Sequence, residues 1–384
     1  MRSRFPVFLL LVLAAFTGTT SNAQQQRLAG LVHDVHTFNS KILGQERTIL
    51  VTLPQTYDTS DGKYPVIIML DAHPPYNVMM SGILDQQAWG GKAPEAILVG
   101  IQNINRLHDL TPTATERATS GGGPKFLQFI ETEVIPLIDK TYRTLPYRVF
   151  AGHSLGGLFV IYSFVEKPDL FNAYIAASPV LHWDNNYVIK RTESLLKQDK
   201  EWKRRIHVSI GNEPDYVAGF NTFQSLLKRV KPKDLDVTFE QLKEDNHGSV
   251  VLPAYYAGVR KVFEGWTQDQ ITTLAETEAH YRKLSDRLGF AVVPPQVLLN
   301  NIGLQLYTAK RMDEAIDVYE RNAELHPNSP TVYDNLARIY EKAERLKLAR
   351  DNFEKAYKMA EQQGNAELGR TAKANFERIS ILVK

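Results

Sequence analysis

A serine, a histidine and a carboxylate can together open an ester, and this chain carries all three in a telling order. Ser154 sits in Gly152-His153-Ser154-Leu155-Gly156. This is the spacing of a nucleophile elbow, in which a strained turn lifts the hydroxyl clear and glycines two residues away on each side avoid a collision. His247 lies in the polar turn Asp245-Asn246-His247-Gly248-Ser249, and two acids lie in Gly211-Asn212-Glu213-Pro214-Asp215. The histidine would take the serine proton, and the acid would fix the imidazole tautomer and stabilise the imidazolium. Serine, acid, histidine is also the chain order of the α/β-hydrolases. Of the other histidines that follow Ser154 in this half of the chain, His182 comes before the acid-bearing strand, and His207 falls inside an apolar strand, where a core role fits. Glu213, nearer the strand end, is the preferred acid; Asp215 is the alternative, and spacing does not choose between them.

Such a site needs strands that end at the right places. Arg148-Val149-Phe150-Ala151 reads as a strand running into the elbow, and Gly157 to Phe164 as a buried helix leaving it. Further strand-like runs cover 47–53, 66–70, 96–101, 173–177, 206–210 and 236–241, separated by turns and by helical patterns such as 125–142. Apolar strands alternating with helices predict a mostly parallel sheet covered on both faces. The oxyanion of a tetrahedral intermediate would take the backbone N–H of Leu155 and a second N–H from Asp71-Ala72-His73-Pro74-Pro75, the loop that leaves strand 66–70. Prolines carry no N–H, so Ala72 or His73 must donate.

After Trp266 the strand pattern stops and helices take over. Ile302 and Leu336, Gly303 and Ala337, Leu306 and Tyr340, Ala315 and Ala349, and Tyr319 and Phe353 are each 34 positions apart, the period of tetratricopeptide helix pairs. Two units are expected, at 296–329 and 330–363, flanked by helices at 272–288 and 366–382. At the other end, Arg2 and Arg4 precede an apolar run from Phe5 to Phe16 and the small residues Ser21-Asn22-Ala23. This reads as a signal peptide and predicts a periplasmic or secreted protein. The expected organisation is therefore a leader at 1–23, a hydrolase domain at 27–268 and a helical-repeat domain at 269–384.

The chain of 384 residues has no cysteine, which removes disulfides, a lipidated cysteine and thiolate metal ligands. Its formal charge of +2 falls to zero once Arg2 and Arg4 are removed, giving no reason to expect nucleic acid or an anionic membrane as partner. No segment is long and apolar enough for stable membrane insertion. No metal-binding or nucleotide-binding motif appears, so no metal or cofactor is expected.

Tyr64 to Asp71, Val99-Gly100-Ile101 with Arg106 and Asp109-Leu110-Thr111-Pro112, Gly152 to Gly157, Ser178-Pro179 with Trp183-Asp184, and His247-Gly248-Ser249-Val250 follow one another in the chain. In these motifs, over roughly 38–266, it resembles the putative esterase family. That family includes esterase D, enterobactin-type siderophore esterases, feruloyl and acetyl-xylan esterases, and mycolyltransferases. The resemblance implies an α/β-hydrolase fold, Ser154 and His247 as catalytic residues, and an oxyanion donor at His73. It also implies that Arg106 and Trp183 line the substrate cleft. The chain departs from the family at Ala72, commonly a glycine, and at Pro214, where the acid often falls.

The expected activity is hydrolysis of a carboxylic ester through an acyl-enzyme, with siderophore-type or saccharide-linked esters as substrates and a possible protein partner at the repeats. Two rivals stand beside it: acyl transfer on the same fold, and an inert hydrolase domain serving as a scaffold for the repeats.

Overall fold

The computed structural model describes residues 34–117, 119–198, 201–266 and 271–383. The leader and the expected domain boundary at 268 lie outside them. Eight strands form one sheet: β1 (Asp34–Ser40), β2 (Gln45–Thr52), β3 (Tyr64–Met69), β4 (Ile97–Ile101), β5 (Thr144–His153), β6 (Ala173–Ala177), β7 (Arg204–Ile210) and β8 (Leu235–Gln241). Their order is β1-β2-β4-β3-β5-β6-β7-β8. The β1–β2 and β2–β4 pairs are antiparallel and all others parallel, so the expected mostly parallel α/β-hydrolase sheet is what forms. Only β1 escaped the sequence reading. It is a half-exposed edge strand with alternating burial, and it lacks the continuous apolar run by which the inner strands were recognised.

Helices cover both faces, because the central strands send alternate side chains to opposite sides. From β3, Val66 and Ile68 face one apolar cluster and Ile67 and Met69 the other. The first cluster is closed by helices α3 (Gly123–Phe129), α4 (Ile135–Thr141), α5 (Leu155–Glu166), α6 (Trp183–Leu195) and α7 (Pro214–Val230). A π turn at Ile130–Val134 joins α3 to α4, so the helix expected at 125–142 is continuous but locally widened ahead of Pro136. The short α2 spans Arg106–Asp109, and its Asp109 pairs with the buried Arg47 at 2.5 Å. The second cluster lies under α1 (Pro74–Trp89) and α8 (Val251–Val262).

The carboxy-terminal region is all helical: α9 (Leu274–Leu288), α10 (Gln296–Thr308), α11 (Met312–Leu325), α12 (Pro330–Lys342), α13 (Leu346–Gln362) and α14 (Ala366–Leu382). The 34-residue recurrence has a steric cause. A Cβ at Gly303 would lie 2.7 Å from the ring of Tyr319, so this first-helix position must stay small for the second helix to dock.

Helix α9 bridges the two regions: Leu274 packs against the repeat cluster and Glu278 pairs with Arg321 of α11 at 2.9 Å, while its other apolar residues face the hydrolase. Its Tyr281, Leu284 and Leu288 join the cluster that holds Tyr147, Val262 and Phe263, and the Tyr147 ring stands 5.7 Å from that of Phe290. Leu284 and Leu288 each contribute about 1.5–3 kcal/mol by leaving water. Tyr147 is near the start of β5 and Ser154 just past its end, so this docking surface lies about 20 Å from Ser154 at the rise of an extended strand.

Candidate active site

Ser154 occupies the turn between β5 and α5 at φ 61°, ψ −118°, a conformation that a non-glycine residue adopts only when its surroundings impose it. The restraints are visible. Its N–H donates to Ala177 O at 2.9 Å, and its C=O accepts from Val180 N at 3.3 Å. A Cβ at Gly152 would come within 2.5 Å of the Gly156 backbone, and one at Gly157 within 2.9 Å of Ala177 O. Gly152 and Gly157 are thus required by backbone packed on backbone, whereas Gly156 faces the side chains of Asp71 and Leu70.

Three strand ends bring the predicted triad together. His247, from the turn after β8, places Nε2 3.0 Å from Ser154 Oγ. Its Nδ1 bonds Oε2 of Glu213, which follows β7. A carboxylate can only accept, so the proton of this bond sits on Nδ1 and the lone pair of Nε2 faces the serine hydroxyl. The other oxygen of Glu213, Oε1, accepts from Ser178 Oγ at 2.5 Å and from Gly211 N at 2.9 Å. Glu213 is 6 % exposed. Asp215, the alternative acid, is exposed in the first turn of α7. Pro214 opens that helix, leaving Glu213 at its N-cap, turned inward, while the residue after the proline turns to solvent.

The imidazole of His247 is bracketed by two rings. Tyr216 lies nearly parallel at a centroid distance of 4.6 Å, and His153 stands at 4.6 Å on a tilt. Burial, with His247 adding to it, pushes the His153 imidazole down to about 4, so His153 is neutral beside the base. The turn itself is tied to β7 through Asn212 N–H to Asp245 O and Leu242 N–H to Ile210 O, and internally by Asn246.

A pocket of about 270 Å³ opens over Ser154, walled by Leu70, His73, Tyr76, Arg106, Val251 and Tyr255. A larger cleft of about 820 Å³, running along the outer face of α8 to Trp266, contains none of the triad. Arg106 is fixed by Asp71, with Nε to Oδ1 at 2.7 Å and Nη2 to Oδ2 at 3.0 Å, and its Nη2 also reaches His153 O at 3.0 Å. Asn103 donates to the same carboxylate. Tyr76, Tyr255, His153 and Tyr216 were not singled out from the sequence. The three tyrosines lie on helices and His153 ends β5, and no motif marks any of the four as a ring or wall of the site.

Two expectations need correction. The His73 N–H, expected to face the oxyanion, folds back onto Asp71 O at 2.7 Å, and the Ala72 N–H donates to Ile101 O at 3.1 Å. Asp71 at φ 58° makes this tight turn. Leu155, at the amino end of α5, is the expected donor whose N–H has no partner among the described residues. Trp183 does not line the pocket. It is buried in the first apolar cluster, with Nε1 donating to Thr113 Oγ1 at 3.1 Å and Arg117 over its ring. Among the described residues no cluster of histidine, aspartate and glutamate could hold a metal ion, and no helix is long and apolar enough to cross a membrane.

The family described as putative esterase matches residues 40–270, and a tetratricopeptide repeat family matches residues 296–362. The chain is 31 % identical over 200 residues to ferri-bacillibactin esterase BesA of Bacillus subtilis, covering 46 % of this chain and 68 % of the relative. It is 27 % identical over 172 residues to the siderophore triacetylfusarinine C esterase of Aspergillus fumigatus, covering 41 % and 59 %. Among solved structures, an IroE-like serine hydrolase from Shewanella oneidensis superposes with a TM-score of 0.69 at 26 % identity, over 76 % of this chain and 99 % of that one.

Proposed function

The chain belongs to the putative esterase family and is an ester hydrolase; on that premise we propose that it works through a serine acyl-enzyme, with Ser154 as nucleophile, His247 as general base and acid, and Glu213 as the orienting carboxylate. The observation that carries this reading is the unbroken chain of hydrogen bonds from Glu213 through His247 to Ser154 Oγ. Nε2 accepts the serine proton as Oγ attacks the ester carbonyl. The Leu155 N–H, at the positive end of α5, stabilises the developing oxyanion. The imidazolium, held by Glu213, then protonates the leaving alcohol, and the neutral imidazole activates the water that releases the acid.

The pocket over Ser154 accommodates one arm of an ester, and the rest of a bulky substrate would remain outside it. Relatives named for ferri-bacillibactin and triacetylfusarinine C support a siderophore-type ester as substrate. The repeats supply a surface for a protein partner, and the charged and apolar amino-terminal sequence supports a periplasmic or secreted location. The test is labelling of the full chain with a fluorophosphonate, alongside turnover of p-nitrophenyl acetate. One adduct on Ser154, and a folded Ser154→Ala variant without adduct or turnover, are expected; an adduct on another serine would refute the assignment.

A further inference from the structure

We propose that Ser178 is a positioning residue for ester cleavage: its hydroxyl holds one oxygen of Glu213 so that the other is aimed at His247, while its backbone sets the spacing between acid and nucleophile. This rests on the triad reading above. Ser178 directly follows β6, is fully buried, and has φ 41°. A serine in the left-handed region with no access to water persists where its surroundings require it.

Three contacts specify the requirement. Ser178 Oγ donates to Glu213 Oε1 at 2.5 Å. Ser178 N–H donates to Ser209 O, near the end of β7, at 2.8 Å. The residue before it, Ala177, receives the Ser154 N–H at 2.9 Å, and Val180, two residues on, donates to Ser154 O at 3.3 Å. One short segment therefore grips both the elbow that carries the nucleophile and the strand whose exit carries the acid. Without the hydroxyl, Oε1 would keep only the Gly211 N–H. The carboxylate could then rotate about its last torsion, which is soft, and the Nδ1 bond that fixes the His247 tautomer would lose its alignment.

The left-handed φ gives a clean control. Glycine adopts this conformation more readily than serine, so Ser178→Gly keeps the backbone and removes the hydroxymethyl group, and Ser178→Ala removes the hydroxyl alone and leaves a methyl. Loss of a hydrogen bond to a charged group is expected to lower kcat on p-nitrophenyl acetate by about 10- to 100-fold, with KM little changed and the protein folded. In a Glu213→Gln background the same substitution should change kcat less than about threefold, because the two residues act through one another. A folded Ser178→Gly or Ser178→Ala variant with wild-type kcat, or losses that multiply fully in the double variant, would overturn the proposal while leaving the triad standing. A silent Glu213→Gln would overturn the triad reading, and this proposal with it.

Discussion

Glu213→Gln exchanges one oxygen for a nitrogen and keeps the shape of the side chain, yet it should lower kcat by about 10³- to 10⁴-fold, or about 4–5.5 kcal/mol in the barrier. The reason lies in which atoms can donate. Oε1 faces the Gly211 N–H, a backbone donor that cannot turn away, and the Ser178 hydroxyl. The amide oxygen must take that side, so the amide NH₂ faces His247. Nδ1 then becomes an acceptor, the ring proton moves to Nε2, and Nε2 points a donor at Ser154 Oγ where an acceptor is needed. Stopped-flow and steady-state turnover of p-nitrophenyl acetate would measure the loss, with folding checked by circular dichroism. Nitrogen NMR of labelled histidine would report the tautomer directly: proton on Nδ1 in the wild type, on Nε2 in the variant. A loss below about tenfold, or a larger loss from Asp215→Asn, would refute the reasoning.

Three further outcomes follow from the packing. Gly152→Ala pushes a methyl against the Gly156 backbone, which has no side-chain rotamer to yield. It should destabilise the fold by about 1–3 kcal/mol or more, read from urea unfolding, and abolish turnover. His153 and His207 are each pushed from 6.5 to about 4 by burial. The unfolded chain therefore binds protons that the folded one refuses, and stability should be full above about pH 6.5 and fall as pH drops toward 4. Urea midpoints at pH 7.5 and 5 would show the slope, and His207→Asn should flatten it. Finally, a chain ending at Asp269 should aggregate, because removing α9 uncovers the apolar surface around Tyr147 and Phe263. One ending at Pro294 should stay folded and turn over a small ester within about tenfold of the full chain, as gel filtration and kinetics would show.

The parts of this site that could be read from sequence are those set by local rules. The elbow announces itself because Gly152 and Gly156 border an obligatory turn, and His247 because it falls in a turn after the right strand. Glu213 is preferred over Asp215 by its nearness to the strand end, and the structure supplies the reason: Pro214 starts a helix, which turns the next residue outward. Contacts across strands left no comparable trace. Asp71 engages Arg106 from another strand end, and the turn it makes engages the His73 N–H. Trp183 was placed in the cleft through the family resemblance, and the structure puts it in the core, bonded to Thr113 in a distant loop. Helix α9 shares the helical pattern of the repeats but sends Tyr281, Leu284 and Leu288 into the hydrolase cluster that holds Tyr147 and Phe263. Periodicity states that a face is apolar and is silent on what covers it.

That docking anchors the amino-terminal end of the helical array on the hydrolase. Leu298 of α10 packs against both the hydrolase cluster and the repeat cluster, whereas α14 ends with Ile381 and Leu382 largely exposed. In a linear array each unit is stabilised by its neighbours, so a helix packed on both sides resists local opening more than one packed on a single side. Amide exchange in α14 would therefore report on the repeats, and exchange in α9 on their attachment to the hydrolase. A ligand held by the last helices would stabilise the repeats without touching the sheet, and one that reaches α10 would bear on both clusters.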